Sequence, residues 1–197
     1  EMMRMHQGSA AQMQQLETFD GAVVVDHIDR YKSTRWLKAV SEQLPYWRRF
    51  MSATTNLNWG ELHLYLALSK LKEGASCIYF SHRPLPEGGD GERLRKLLLS
   101  EATLEAFIEL DETAFAPYRN LYVFKRCSDK VKRDCHRPKF GRLQASELEH
   151  FTFDNLEESS SLQSEVSDRG WDHMFVRGAA PLVRHLNYKF PKLFQIA

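Results

Sequence analysis

Four short apolar runs, separated by segments with helical spacing, set the pattern of hydrophobic and polar positions along the chain. The pattern predicts β-strands over residues 21–28, 75–82, 104–110 and 120–126. The first run, GAVVVDHI, is apolar and β-branched at consecutive positions, which is typical of a parallel strand buried on both faces. A sheet built from these four strands is the expected core.

Helical segments lie between the predicted strands. The segment after Asn58 has apolar residues on nearly every side, which indicates a helix packed against a sheet. Gly74 is expected to end this helix in a left-handed conformation. Residues 92–101 form a second helix with leucines at helical spacing, and residues 30–50 are helical in part. Residues 83–91, with two prolines and three glycines, are expected to form a loop.

The predicted order is strand, helix, strand, helix, strand, turn, strand. Strands that alternate with helices favour a parallel sheet with helices on its faces, so the fold class is α/β. Only the short turn DETAFAPYRN joins the last two strands, and a short connection requires an antiparallel pair. This hairpin is expected at the edge of the sheet.

Length, cysteine content and hydropathy narrow the class of protein. The 197 residues fit one domain with an extension. No apolar run reaches the roughly 18 residues that span a bilayer, and the N-terminus lacks the apolar centre of a secretion signal. Cys77, Cys127 and Cys135 form an odd set without disulfide or zinc spacing, so no metal site is expected. We expect an intracellular location, cytoplasmic or nuclear, and no membrane partner.

Charge is distributed unevenly in the second half of the chain. Residues 125–142 contain eight Lys or Arg against two Asp, whereas residues 147–168 contain seven acidic residues and a run of three serines. A basic segment followed by an acidic, serine-rich one indicates a working surface and then a flexible linker. The expected division is an irregular N-terminal segment, a sheet domain, a basic then acidic linker and a C-terminal helix, over residues 1–20, 21–128, 129–170 and 171–197.

Three stretches resemble the class I S-adenosylmethionine-dependent methyltransferases. VVVDHID, residues 23–29, resembles their fourth strand with its acidic motif. ALSKLKEGASCIYF resembles the helix and turn that lead into their fifth strand, and FIELDETAFAPYRNLYVFKR resembles their closing hairpin. The resemblance covers residues 20–127. It implies the second half of a Rossmann-like methyltransferase sheet with an antiparallel last strand, a C-terminal extension, and S-adenosylmethionine as the cofactor.

Two branches of that superfamily have similar patterns. The FtsJ-like ribose 2′-O-methyltransferases share a helix of the form LxxALSxLxxGG, and their acidic motif fits the region of Asp26 better. Adenine-methylating modification subunits have an ending that LRKLLLSEATLEAFIELDETAFAPYRNLYVF resembles over a longer stretch. The sequence departs from both. Residues 79–82 and 118–120 offer no counterpart of the second lysine and the glutamate of the FtsJ-like Lys-Asp-Lys-Glu tetrad, and DHID replaces the Asn-Pro-Pro-aromatic motif of the adenine methylases.

The half of the fold that holds the cofactor has no counterpart in the pattern. Nothing before Gly21 provides a strand, a glycine-rich turn and a helix, and 20 residues are too few for two βα units. The expectation is a fragment, the second half of a split domain or a degenerate relative. An upstream segment or a protein partner would then complete the sheet.

Asp26 is the predicted catalytic residue, because it ends a buried strand at the edge where open α/β sheets bind their ligands. Asp26 and His27 are the cofactor contacts that the resemblance implies. A structural alternative stays open, in which Asp26 caps a helix or is a solvated carboxylate. The stretch GGDG, residues 88–91, could cradle a phosphate but is more typical of a surface loop.

The basic run predicts a nucleic-acid interface. Its phosphate-binding candidates are Lys125, Arg126, Lys132, Arg133, Arg137 and Lys139. Phe140 and Tyr118 are available to stack on bases. The alternative is a solvated linker, because charge runs are usually solvated.

The function expected first is that of an RNA methyltransferase domain of the ribose 2′-O type. It would be either inactive or dependent on an upstream half for cofactor binding. Two alternatives stay open. One is a catalytically dead methyltransferase-fold module, a pseudoenzyme that binds nucleic acid or protein, and the other is an adenine-methylating DNA modification relative.

Overall fold

The computed structural model describes five parts of the chain. They are residues 18–26, 59–82, 85, 88–159 and 161–166. The predicted helical segments 30–50 and 171–197, His27 and most of the N-terminal segment lie outside the described residues. Within the described part, six strands form one sheet.

Helices and strands alternate at first and become shorter towards the C-terminal end of the described chain. The strands are β1 (Phe19–Val25), β2 (Leu71–Ser81), β3 (Ala102–Leu110), β4 (Asn120–Arg126), β5 (Lys139–Leu143) and β6 (Glu157–Glu158). The α-helices are α1 (Trp59–Lys70), α2 (Gly88–Leu99), α3 (Glu112–Phe115), α4 (Lys130–Cys135) and α5 (Gln163–Val166). Two 3-10 helices, Ala145–His150 and Phe153–Asn155, lie between β5 and β6. All four predicted strands are present as β1 to β4, with differences only in their boundaries.

The strand order in the sheet is β1-β2-β4-β3-β5-β6. β1 runs parallel to β2 and β3 runs parallel to β5, whereas β4 lies antiparallel between β2 and β3. The fold is therefore mixed α/β with one antiparallel strand inserted into the sheet. This arrangement confirms the expected α/β fold class and the antiparallel direction of β4.

The hairpin of β3 and β4 is not at the edge of the sheet, which corrects the prediction. β3 pairs with β4 on one side and with β5 on the other, and β6 follows β5. Both added strands belong to the segment 129–170, which the charge pattern indicated as a linker. The pattern missed β5 because its sequence, KFGRL, carries two basic residues and a glycine, and because its partner strand is distant in sequence.

Each face of the sheet carries its own apolar core. α1 and α2 contribute to the larger core, in which Tyr122 of β4 stacks on Tyr79 of β2 and on Phe107 of β3. The ring centroids of these pairs are 5.8 and 4.9 Å apart, and such pairs add about 0.5–1.5 kcal/mol beyond their area burial. Leu143 of β5 and Leu156 lie in the smaller core on the other face. The stacked rings hold the three central strands in register.

Gly74 has a different role from the predicted helix stop. α1 ends before it, and Gly74 lies inside β2 with a φ of 79°. Phe19 and Gly21 of β1 are two positions apart, whereas their partners Leu71 and Ser76 in β2 are five apart. Gly74 is thus left-handed as predicted, but it lies in a bulge of β2. Glycine is the residue that adopts a positive φ in such a bulge at the lowest cost.

The loop before α2 is shorter than predicted. α2 begins at Gly88, so the stretch GGDG forms its first turn instead of a surface loop. The glycines concealed this turn because glycine is a weak helix former, whereas the leucines that follow indicated the rest of the helix.

Candidate active site

Two polar residues lie at the carboxyl ends of the two adjacent parallel strands. Asp26 follows β1 directly, and its backbone N–H donates to the carbonyl of Phe80 in β2 at 2.8 Å. His82 follows β2 directly. Because β1 and β2 are parallel and in register through Val25 and Phe80, both side chains reach the same edge of the sheet. Ligands of open α/β sheets bind at this edge.

Asp26 and His82 form a pair with one buried and one accessible member. Oδ2 of Asp26 lies 2.6 Å from Nδ1 of His82. The Asp26 side chain is 0% exposed and the His82 side chain is 29% exposed. A carboxylate that contacts one imidazole nitrogen fixes the orientation of the ring and leaves the second nitrogen for another partner. The imidazole is therefore the part of this pair that a ligand can reach.

Gly60 allows α1 to approach the carboxylate. A Cβ atom added at Gly60, in the first turn of α1, would stand 2.3 Å from Oδ1 of Asp26 and 2.7 Å from its Cγ. The N-terminal end of a helix carries a partial positive charge that favours a carboxylate. The carboxylate thus lies between the start of α1 and the imidazole of His82.

Further polar groups lie behind this pair in the protein interior. Glu61, 1% exposed, and Tyr79, 0% exposed, are both buried. Burial raises the pKa of the Tyr79 hydroxyl well above its usual range, and the charge of Asp26 raises it further, whereas a hydrogen bond with the side chain of Ser81 lowers it. Tyr79 is therefore a neutral hydrogen-bonding group at neutral pH. Among the residues described, the edge combines acidic, imidazole and phenol groups around a buried centre.

The start of β4 forms the next part of the same edge. Ser81, the last residue of β2, lies opposite Asn120, the first residue of β4. The backbone N–H of Arg119 donates to the carbonyl of Ser81 at 2.9 Å. The ring of Tyr118 contacts the ring of Phe80 edge-on, with centroids 5.9 Å apart. The antiparallel insertion of β4 thus brings the turn before β4 next to the end of β2.

Two of the predicted site residues have different outcomes. Asp26 lies at the carboxyl end of β1, as the sequence predicts, and its side chain is enclosed. β1 itself is not buried on both faces, which corrects that prediction: it lies at the edge of the described sheet, and Val24 is its only buried residue. His27 lies outside the described residues, so its predicted cofactor contact stays a prediction. His82 was not predicted, because the resemblance directed attention to a lysine after the second strand. A simpler signal could have found it. His82 is a basic side chain that directly follows the strand next to the one that ends at Asp26.

The six predicted phosphate-binding residues lie away from Asp26. β4 begins at the Asp26 edge with Asn120, so Lys125 near its end reaches the opposite edge, about 17 Å away for five strand residues. α4 follows from that opposite edge. Because β4 is antiparallel to β2, the structure does not bring this part of the basic segment together with the Asp26 edge.

Four of the six basic side chains make contacts within the chain. Arg126 pairs with Glu101, Arg133 donates to the carbonyl of Cys127, Arg137 donates to the carbonyl of Ser159, and Lys139 donates to the carbonyl of Phe153. Lys125 and Lys132 are exposed. The predicted interface with nucleic acid stays a prediction, and Lys125, Lys132 and Arg137 are its exposed members.

No protein-family model matches the chain, and no curated protein matches it. Several solved structures are similar over part of it. A protein from Listeria monocytogenes, described as a class I S-adenosylmethionine-dependent methyltransferase, is 14% identical, with 68% of this chain and 38% of that chain covered and a TM-score of 0.47. A modification subunit of a type I restriction enzyme from Vibrio vulnificus is 17% identical, with 66% and 27% covered and a TM-score of 0.47.

A further similar structure is the type I restriction enzyme EcoKI M protein. It is 13% identical, with 68% of this chain and 27% of that chain covered and a TM-score of 0.46. All three TM-scores lie below 0.5, and the chain spans 38% of the length of the first of these proteins and 27% of the other two.

Among the described residues, no group of three or more His, Cys, Asp or Glu side chains could hold a metal ion. No helix in this part of the chain is long and apolar enough to cross a membrane.

Proposed function

We propose that this chain forms the target-base side of an S-adenosylmethionine-dependent methyltransferase domain that modifies adenine in DNA. One arrangement of strands carries the proposal. β4 lies antiparallel between β2 and β3, and β1, which is parallel to β2 on its other side, ends at the acidic residue Asp26. That arrangement matches the part of the methyltransferase sheet that the sequence resembles, from its fourth strand to its last.

The residues next to two strand ends count against ribose methylation. In the FtsJ-like pattern the second lysine follows the fifth strand and the glutamate precedes the last strand. In this chain His82 follows β2 and Arg119 precedes β4, so neither position carries the residue of that pattern. RNA as the partner and ribose 2′-O transfer therefore stay predictions that the edge of the sheet does not support.

The longer sequence resemblance supports the same choice. The stretch that resembles the adenine-methylating subunits covers the second half of α2, all of β3, the turn and β4 up to Phe124. The end of the turn and the start of β4 lie next to the end of β2, at the candidate site. The resemblance and the strand arrangement thus concern the same part of the chain.

A target adenine would have to leave the DNA stack to reach this edge. Enzymes that act on a base extrude it into a pocket, where aromatic groups stack on it and polar groups contact its exocyclic atoms. Tyr118, in edge contact with Phe80, offers an aromatic ring next to the end of β2. The Asp26–His82 pair offers polar groups at the same edge.

S-adenosylmethionine, when bound, supplies the methyl group. The described residues fit the target side of such a reaction, because buried polar groups collect at the carboxyl edge of β1 and β2. In the described part of the chain, no glycine-rich turn after a first strand and no ribose-binding carboxylate are found at this edge. A contact of His27 with the cofactor, and a segment or partner that completes the cofactor side, are therefore part of the proposal, whereas Asp26, with its enclosed side chain, would orient His82.

A methyl-transfer assay tests the proposed function. Tritiated S-adenosylmethionine would be incubated with unmethylated duplex DNA or with RNA, using the chain alone and the chain joined to whatever sequence precedes it in its gene. Label in adenine of DNA would support the proposal, and label in RNA ribose would support the other branch. No transfer in either form, with intact folding by circular dichroism, would leave the inactive binding module.

A further inference from the structure

His82 is the accessible member of the Asp26–His82 pair, so it is the side chain of this pair that a ligand can contact. Its ring lies at the end of β2, its side chain is 29% exposed, and Nδ1 is 2.6 Å from the enclosed carboxylate of Asp26. The tautomer that this contact favours has its proton on Nδ1, the nitrogen next to the carboxylate. The second nitrogen, Nε2, then carries a lone pair.

We propose that Nε2 of His82, oriented by Asp26, accepts a hydrogen bond from the exocyclic amine of the target base and takes its proton. This inference rests on the proposed function. It assigns the contact with the base to His82 and makes Asp26 a positioning residue, because a side chain with 0% exposure does not reach a base directly.

The proton balance of the step requires such an acceptor. The lone pair of the exocyclic nitrogen forms the new bond to the methyl carbon, and the electron pair of the broken C–S bond stays on sulfur. The amine then carries a positive charge and one proton in excess. His82 Nε2 takes that proton, the resulting imidazolium lies next to the Asp26 carboxylate, and the proton then leaves to solvent.

Another histidine of the described chain, His136, provides a matched control. His136 is 24% exposed and lies 3.7 Å from the carboxylate of Glu105, so it resembles His82 in burial and in its acidic neighbour. Its Nε2, however, contacts the carbonyl of Leu104 at 3.1 Å, far from the end of β2. His136→Gln therefore tests whether the loss of a carboxylate-paired histidine alone affects the reaction.

Two measurements test the inference, and the first needs no cofactor. The ¹⁵N chemical shifts of the His82 ring, compared with and without adenine-containing DNA, report which nitrogen carries the proton. We expect the proton on Nδ1 and a shift of Nε2 when DNA binds. A proton on Nε2 in the free protein would overturn the inference.

The second measurement is the rate of methyl transfer in variants. We expect His82→Ala to lower the maximal rate about 100-fold or more, with unchanged affinity for S-adenosylmethionine, and added imidazole to restore at least part of the loss. His136→Gln should keep the wild-type rate. Methyl transfer by the wild type together with an unaffected or imidazole-insensitive His82→Ala would overturn the inference and leave the proposed function standing. No transfer by the wild type would overturn both.

Discussion

Gly60 and Asp26 lie so close together that there is no room for a side chain at position 60. A Cβ atom there would stand 2.3 Å from Oδ1 of Asp26, well inside the contact distance of the two atoms. The start of α1 and the end of β1 therefore depend on each other. Any residue other than glycine at position 60 must displace the carboxylate that orients His82.

This relationship predicts the effect of Gly60→Ala on stability. Alanine in place of glycine usually stabilises a helix by up to about 1 kcal/mol, so a net loss would report the clash. We expect the free energy of unfolding to fall by about 1–2 kcal/mol, as overpacking of an enclosed site does. Urea denaturation followed by circular dichroism measures this change.

Gly141→Ala is the matched control for that variant. A Cβ at Gly141 would stand 2.6 Å from Cδ2 of Leu156, the far end of a flexible side chain that can move aside. We expect a smaller loss of stability and no change in the ¹⁵N signals of His82. An equal loss in both variants, with unchanged His82 signals, would show that the Asp26 contact has no special role.

The side chain of Gln163 connects the C-terminal part of the described chain to the sheet. Its side chain accepts from the N–H of Leu104 at 2.8 Å and donates to the carbonyl of Ala102 at 3.0 Å, and it is 2% exposed. Gln163→Ala would leave both backbone groups of β3 without this partner. Because each buried polar group without a partner costs about 1–3 kcal/mol, we expect a loss of about 2–4 kcal/mol in denaturant unfolding.

Ser164→Ala is the control for Gln163→Ala. Ser164 donates to the carbonyl of Asp134 at an exposed position, so its loss should change the free energy of unfolding by less than about 1 kcal/mol. Equal stability of the Gln163→Ala variant and the wild type would mean that the segment around α5 is not held by this side chain.

Cys77 predicts a loss of stability at high pH. Burial raises the pKa of its thiol from 9.0 to about 12, so the unfolded chain releases this proton first as the pH rises. The contribution is fully present below pH 9 and is lost between pH 9 and about 12. Between pH 8 and pH 10 the loss amounts to about 1.4 kcal/mol.

Cys77→Ala isolates this contribution from the other groups that titrate in the same range. We expect the difference in unfolding free energy between pH 8 and pH 10 to be smaller in the variant than in the wild type by about 1.4 kcal/mol. Parallel pH dependences of the two proteins, measured by urea denaturation, would contradict the prediction.

Lys132 tests the predicted contact of the basic segment with nucleic acid. It is exposed on α4, whereas Lys130 on the same helix pairs with Asp134. If Lys132 contacts a phosphate, Lys132→Gln should reduce the slope of log affinity against log salt by about 1. Lys130→Gln should reduce it less. Identical slopes in both variants and the wild type, measured by fluorescence anisotropy with labelled DNA, would remove α4 from the interface.

Lys125 and α4 lie at the opposite edge of the sheet from Asp26. The variants Lys132→Gln and Lys130→Gln should therefore leave the maximal rate of methyl transfer unchanged. The sequence contained the information for this separation. An antiparallel strand that begins beside Asp26 must end at the other edge, and the antiparallel direction was predicted.

Local patterns predicted the sheet well where burial is strong. The leucines of α1 and α2 are all buried in the core, so their hydrophobicity carried the signal, whereas in β1 only Val24 is buried and Val23 is 54% exposed. β5 was not predictable in this way. Its Lys139 and Arg142 remain partly exposed, and its place depends on pairing with β3, which is distant in sequence.

The candidate site was predictable in part for a similar reason. Asp26 was found because strand ends in open α/β sheets are known ligand positions. His82 was missed because its role depends on a contact with Asp26 that only the parallel register of β1 and β2 creates. Gly60 was missed because the sequence does not show which atoms lie next to a glycine.

Binding of S-adenosylmethionine tests the central claim most directly. Isothermal titration calorimetry would compare the chain alone with the chain joined to whatever sequence precedes it in its gene, and His82→Ala would be included in both forms. We predict binding in the joined form, with an affinity that His82→Ala leaves unchanged. Absence of binding in both forms, with both proteins folded, would contradict a methyltransferase function for this domain.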